Sequence, residues 1–243
     1  MAKRKSPFRN SQEFEKEIIE FANKNRLEIV EHSKKISDYF EISTFNNLVK
    51  YYKIKGYTVN PANLINGKYR YKCSPAGIQS NFSYFLIKKR IRNVDYEFEI
   101  HHNLAVQSSH CEDIFTTPDI VVINKSSIKY SEEYYSTKRT FSYVENNNMK
   151  TFCEVKNFNP FPELLFNFIG VLNELRKEYL EGNLQNDSPV QIAPCLIISG
   201  KGSKPTNLIK ERLETRYNVN IIYDVFYEGH YFFTRKAGQL KKS

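Results

Sequence analysis

The sequence predicts an α/β protein in which helices flank a mostly buried sheet. Three observations lead there. Near-continuous apolar runs, PDIVVIN at 118–124, IAPCLIISG at 192–200 and VNIIYDVFY at 219–227, read as strands covered on both faces. Between them Phe161, Leu165, Phe168, Leu172, Leu175 and Tyr179 recur at helical spacing and share one face. The composition is globular, with 40% hydrophobic and 26% charged residues over 243 positions, enough chain for a real core.

Residues 1–10 read as a loose basic arm. Residues 11–35 carry Phe14, Ile18, Ile19 and Phe21 at helical spacing, with Ser11 as the N-cap. A second helix is expected over 36–55, with Phe40, Phe45, Leu48 and Tyr52 as its apolar stripe and Gly56 at its end. GYTVNP follows as a short strand into a turn. Residues 61–115 are strand-rich: YRYKC, FSYFLIKKR and YEFEIHHNLAV are aromatic and β-branched. The cationic KKRIR at 88–92 reads as a solvated edge or loop, or else as a phosphate contact. Two core strands come next, at 118–124 and 151–157. The Asn146-Asn147-Asn148 turn predicts that 139–145 pairs with 150–156 as a hairpin. A long helix over 161–181 closes at Gly182, the strand IAPCLIISG follows, and NLIKERLETRY forms a short amphipathic helix before the last strand.

Several classes drop out. No run of about 18 apolar residues exists to cross a membrane, and no apolar signal core follows the basic MAKRKSPFRN, so a cytoplasmic protein without a membrane partner is expected. Cys73, Cys111, Cys153 and Cys195 form no CxxC pair. The pair His101-His102 and the neighbours His110-Cys111 match no standard zinc spacing. The net charge of +9 favours a polyanionic partner, nucleic acid first.

FCEVKN, 152–157, carries the chemistry. Side chains alternate along a strand, so Glu154 and Lys156 point to one face while Cys153 and Val155 point to the other. If the 118–124 strand lies alongside, Asp119 joins them. Two carboxylates and a backbone carbonyl, that of Val155, suit a hard divalent cation such as Mg²⁺, which takes one or two protein carboxylates and keeps several waters. A nearby lysine can orient the attacking water or offset phosphate charge. Of the 27 acidic residues only Glu154 has a lysine two positions on. The competing reading is a cross-strand ion pair on a solvated sheet face, which leaves Asp119 without a role.

At these residues, Pro118-Asp119 and Glu154-Val155-Lys156, the chain resembles the PD-(D/E)xK nuclease superfamily. The order helix, strands, motif strand, helix, strand is similar as well. The resemblance implies a restriction-endonuclease-like core, a mixed β-sheet flanked by helices. It would occupy 36–243, after an N-terminal helical segment at 1–35 and with a strand-rich insertion at 61–115. It implies a Mg²⁺-dependent endonuclease, with Mn²⁺ able to substitute, acting on DNA in preference to RNA. Asp119 and Glu154 would be metal ligands and Lys156 the catalytic lysine. Glu41, on the helix before the sheet, is the candidate for the family's upstream acid, or else an ordinary surface glutamate, with Glu99 as its rival. Restriction or antiviral defence is one setting the resemblance implies, and repair or mobile-element processing is another. Asn157 and Asn159 either approach substrate or serve turn chemistry before Pro160. Lys201 and Lys204, in a loop at a carboxyl strand end, are candidate phosphate contacts. Gln107, Ser108 and Ser109 are candidate cleft residues. The other readings are a non-catalytic nucleic-acid-binding module, or a regulated subunit of a defence or repair complex. In the latter, residues 1–35 or 61–115 would contact a partner or a second copy.

Overall fold

A computed structural model describes residues 11–24, 28–30, 36–131, 140–181, 189–225 and 233–243. The chain opens with α1 (Ser11–Lys24), which turns Phe14, Ile18 and Phe21 inward; Ile19, expected in the same stripe, is half exposed. The helix is shorter than the 11–35 expected: β1 (Glu28–Val30) is a strand, and residues 25–27 and 31–35 lie outside the described residues, as does the basic arm. Next comes α2 (Ile36–Ile54), buried almost all round from Phe40 to Tyr52. Gly56, at φ +80°, ends it. Tyr57 N–H reaches back to Tyr52 O and Gly56 N–H to Lys53 O, the pairing of a left-handed helix stop that a Cβ would disfavour.

The strands follow in order: β2 (Thr58–Ala62), β3 (Lys68–Arg70), β4 (Tyr84–Ile91), β5 (Val94–His102), β6 (Ala105–Gln107), β7 (Phe115–Thr116), β8 (Ile120–Asn124), β9 (Ile128–Ser131), β10 (Phe141–Val144) and β11 (Met149–Lys156). Then come α3 (Pro162–Leu175), α4 (Glu178–Glu181), β12 (Cys195–Ile198), α5 (Lys204–Arg216) and β13 (Asn220–Ile222). Seven strands form the main sheet in the order β13-β12-β11-β8-β5-β4-β2. β11, β12 and β13 run parallel, and β11, β8, β5, β4 and β2 alternate in direction, so the sheet is mixed.

Burial on both faces explains the continuous apolar runs. Ile120, Val122, Cys153, Val155 and Ile197 pack towards α1 and α2; Val121, Ile123, Phe152, Leu196 and Ile198 pack towards α3 and α5. Among the described residues no helix is long and apolar enough to cross a membrane.

Residues 61–115 are strand-rich as expected, and β4 and β5 of that stretch lie inside the main sheet, with β5 pairing directly with β8. Two expectations are corrected. Residue 139 lies outside the described residues, and the rest of the expected strand, 140–145, does not form a hairpin with 150–156. Instead β10 joins β6 and β9 in a second sheet, of order β7-β6-β10-β9, while β11 pairs with β8 and β12. The cause is the asparagine turn, a short 3-10 segment whose Asn146 amide donates to the carbonyls of Gln107 and Leu175 and so carries the chain from one sheet to the other. The 161–181 helix is two helices. Arg176 leaves helical geometry at φ −146°, where its guanidinium binds the Lys150 carbonyl and Glu178.

Candidate active site

Asp119 immediately precedes β8, and the first residue of that strand, Ile120, sits opposite Cys153 of β11 and His102 of β5. The Asp119 carbonyl accepts from Asn103 N–H at 3.0 Å, which fixes its backbone against the end of β5. Its carboxylate faces β11: Oδ2 accepts from Val155 N–H at 2.6 Å and from Lys156 Nζ at 2.9 Å. Lys156 Nζ also lies 2.8 Å from Glu154 Oε2. One ammonium therefore bridges two carboxylates from neighbouring strands. The Asp119 and Glu154 side chains are only 13% and 12% exposed. Alternation along β11 is as expected: Cys153 and Val155 are buried beneath α2, and Glu154 and Lys156 take the other face. Val155 enters the site through its N–H.

The electrostatics are unbalanced. Burial first, and then the Asp119 carboxylate, push the Glu154 carboxyl up to about 7; Lys156 pulls the other way and Glu41 adds to the rise. Burial would lower Lys156, but Glu154 and Asp119 outweigh it and hold the amine above its ordinary range. Two low-exposure carboxylates share one lysine, and a full negative charge on both would exceed what that lysine offsets. An all-oxygen donor set with that excess fits a hard divalent cation. Among the described residues no three His, Cys, Asp or Glu side chains are arranged to hold a metal by themselves, so such an ion would complete its shell with water or substrate oxygens.

Glu41 and Glu99, the two upstream candidates, are placed differently. Glu41, on α2, is close enough for its charge to act on Glu154, and its Oε2 lies 3.5 Å from His102 Nε2. Glu99 points to the opposite face of the sheet from His102. Its Oε2 takes His101 Nε2 at 2.9 Å and its Oε1 accepts Ser126 N–H at 3.0 Å. Gln79 donates to His101 Nδ1 and accepts from Lys72, completing a buried polar chain separate from Asp119.

The remaining candidates divide. Asn157 Oδ1 accepts from Ser199 Oγ at 2.8 Å, so its side chain serves the loop. Lys201 and Lys204 are exposed, and Lys204 opens α5 behind the Ser203 cap. Gln107, Ser108 and Ser109 bond to other partners than the acids and Lys156. Ser108 donates to Glu174 Oε2, Ser109 to the Glu174 and Asn173 carbonyls, and Gln107 to the Glu112 carbonyl, near the carboxyl end of α3.

Two residues beside the site were not singled out for it in the sequence. His102 is 2% exposed and packs its ring on Phe45, with neither ring nitrogen in a hydrogen bond. The alternation Phe98, Ile100, His102 would have placed it on the α2 face. Gly200 is the other. A Cβ there would sit 2.4 Å from Asn159 Oδ1 and 2.6 Å from Phe158 O, a contact between distant segments that no local pattern announces. Comparison with known proteins finds no matching family model, no matching curated protein and no matching solved structure.

Proposed function

We propose that the chain is a Mg²⁺-dependent endonuclease of the PD-(D/E)xK type that hydrolyses phosphodiester bonds, with DNA as the favoured substrate. The observation that carries the proposal is the bridging of Asp119 and Glu154 by Lys156 at one end of adjacent strands. A chain built only for binding a polyanion gains nothing from two buried carboxylates there. The net charge of +9 supports a nucleic-acid substrate, and the exposed Lys201 and Lys204 offer backbone contacts.

Asp119 and Glu154 would hold the ion, and Glu41 would stand behind them. When bound, Mg²⁺ polarises the scissile phosphate and lowers the pKa of a coordinated water. The protein residues do the rest. The Val155 N–H fixes the Asp119 carboxylate, so one ligand is preset before substrate arrives. Lys156 keeps its proton at neutral pH, since its pKa is raised. It therefore acts as a fixed positive charge and hydrogen-bond donor, orienting the attacking water and stabilising charge that grows on the phosphate.

The test is cleavage of plasmid DNA with Mg²⁺ by wild type, Asp119→Ala and Lys156→Ala, each checked for folding. Wild type is expected to nick or cut. Both variants should bind DNA yet lose about 100-fold or more in rate. Cleavage at the wild-type rate in both variants would remove the site assignment. Binding without cleavage by wild type would favour the non-catalytic module.

A further inference from the structure

Two bulky aromatic rings stand in solvent directly after the catalytic strand. Phe158 is 38% exposed and Phe161 45% exposed, and their ring centroids lie 5.9 Å apart at 30°. Phe158 is two positions beyond Lys156, so its Cα lies within roughly 7 Å of the lysine Cα by chain reach alone. Single exposed aromatics are ordinary on protein surfaces. A mutually packed pair, rigidly held beside a charged site, is a different case.

The rigidity is visible in the bonds. Ser199 N–H donates to Lys156 O at 3.1 Å, Gly200 N–H to Phe158 O at 3.2 Å, and Ser199 Oγ to Asn157 Oδ1 at 2.8 Å. Gly200 lies so close to Phe158 and Asn159 that no side chain fits between them. Pro160 and Pro162 fix φ on both sides of Phe161. The clamp that holds the rings runs straight into the loop bearing exposed Lys201 and Lys204. The rings thus follow Lys156 by two and five positions, and Lys201 and Lys204 follow the Gly200 that touches Phe158 by one and four.

We propose that Phe158 and Phe161 form a stacking platform for an unpaired nucleobase of the strand held at the site, with Lys201 and Lys204 on its phosphates. The inference rests on the nuclease reading and deepens it: the substrate is single-stranded, or locally unpaired, next to the bond that is cut. Bases inside a duplex already stack on one another and present only their edges, whereas a freed base exposes a face that an aromatic ring can cover. A base inserted between two rings needs roughly 7 Å, twice the stacking rise of a strand, so this pair is too close to sandwich one. The base covers the outer surface of the pair.

The experiment uses the full chain in EDTA with a fluorescent single-stranded DNA oligonucleotide and the fully paired duplex of the same sequence. Anisotropy titrations compare wild type, Phe158→Ala/Phe161→Ala, Phe158→Trp/Phe161→Trp and Phe166→Ala. Phe166 is a 53% exposed ring on the solvent face of α3 and serves as the control. The melting profile of each variant and the duplex arm together separate loss of the platform from loss of the fold.

Wild type is expected to bind the single strand more tightly than the duplex. The double alanine variant should lose about 10-fold or more on the single strand and change little on the duplex. The tryptophan and Phe166→Ala proteins should stay close to wild type. Equal single-strand affinity in wild type and double alanine, an equal loss on both DNAs, or wild-type preference for duplex would each overturn the platform. A parallel Mg²⁺ cleavage assay separates the two ideas. Selective loss of single-strand binding in a protein that cuts nothing keeps the platform and removes the nuclease reading. Cleavage unaffected by the double alanine variant, with no strand preference, does the reverse.

Discussion

Glu154 is costly to the fold, and the proposed function gives that cost a use. Its carboxyl is pushed up to about 7 by burial and by Asp119. A raised carboxyl pKa means that the ionised form is disfavoured in the folded chain. Glu154→Gln removes that cost and leaves Asp119 and Lys156 as a one-to-one pair. The metal-free variant is expected to gain roughly 1–3 kcal/mol at neutral pH, read as a rise of several degrees in melting temperature, and to lose cleavage. An unchanged or lower melting temperature would show that Glu154 is not destabilising. Lys72, in the separate buried chain with Gln79, His101 and Glu99, gives a pH test. Burial lowers its amine to about 8 from an ordinary 10.5. Between those values the unfolded chain binds the proton first, so this lysine costs progressively more stability as pH falls from about 10.5 to about 8 and no more below that. The melting-temperature difference between Lys72→Met and wild type should therefore shift in favour of the variant over that window and then level off. A difference independent of pH from 7 to 10 would contradict the shift.

At the scale of elements, the site depends on three strand ends meeting and on one loop contact. β5, β8 and β11 bring His102, Asp119 and Glu154 to the same end of the sheet because Ile120 lies opposite both His102 and Cys153. The loop from β12 to α5 then locks the 157–161 segment through Gly200. Gly200→Ala places a methyl group against the Phe158 carbonyl, a backbone atom that cannot swing aside. It is expected to cost about 1–3 kcal/mol in denaturant unfolding and to reduce cleavage more than a surface Gly238→Ala, where nothing lies within contact distance. Equal behaviour of the two variants would show that the clamp does not position the site. Much at this scale could be read directly: α2, β4, β8, β12 and α5 follow from apolar periodicity and turn residues. The hairpin expectation failed because Asn146 uses its amide to bridge two distant carbonyls, and a turn sequence does not reveal which strands it separates. The long helix failed at Arg176 for a related reason: the bond to the Lys150 carbonyl outweighs the helical pattern around it.

For the whole molecule, the charge excess of +9 and the exposed lysines bear on how a nucleic acid would be held. Binding should weaken steeply with salt, and Lys201→Ala/Lys204→Ala should reduce the slope of log affinity against log salt by about 2, without changing which DNA is preferred. A slope equal to wild type would take those lysines out of the interface. The architecture as a whole combines information of two kinds. The sequence by itself determined the α/β class, the doubly covered strands and the Asp119, Glu154 and Lys156 set, because these depend on apolar patterning, alternation and a short motif, all local properties. It left Glu41 and Glu99 as rivals and missed His102 and Gly200. Tertiary structure placed them: the pairing of β5 with β8 put His102 on the α2 face, 3.5 Å from Glu41, and turned Glu99 on the opposite face to His101 and Ser126, and packing closed the β12–α5 loop over Phe158. The physical reason is that register between strands, and contact between loops far apart in sequence, arise from packing the whole sheet, and no single segment encodes either one.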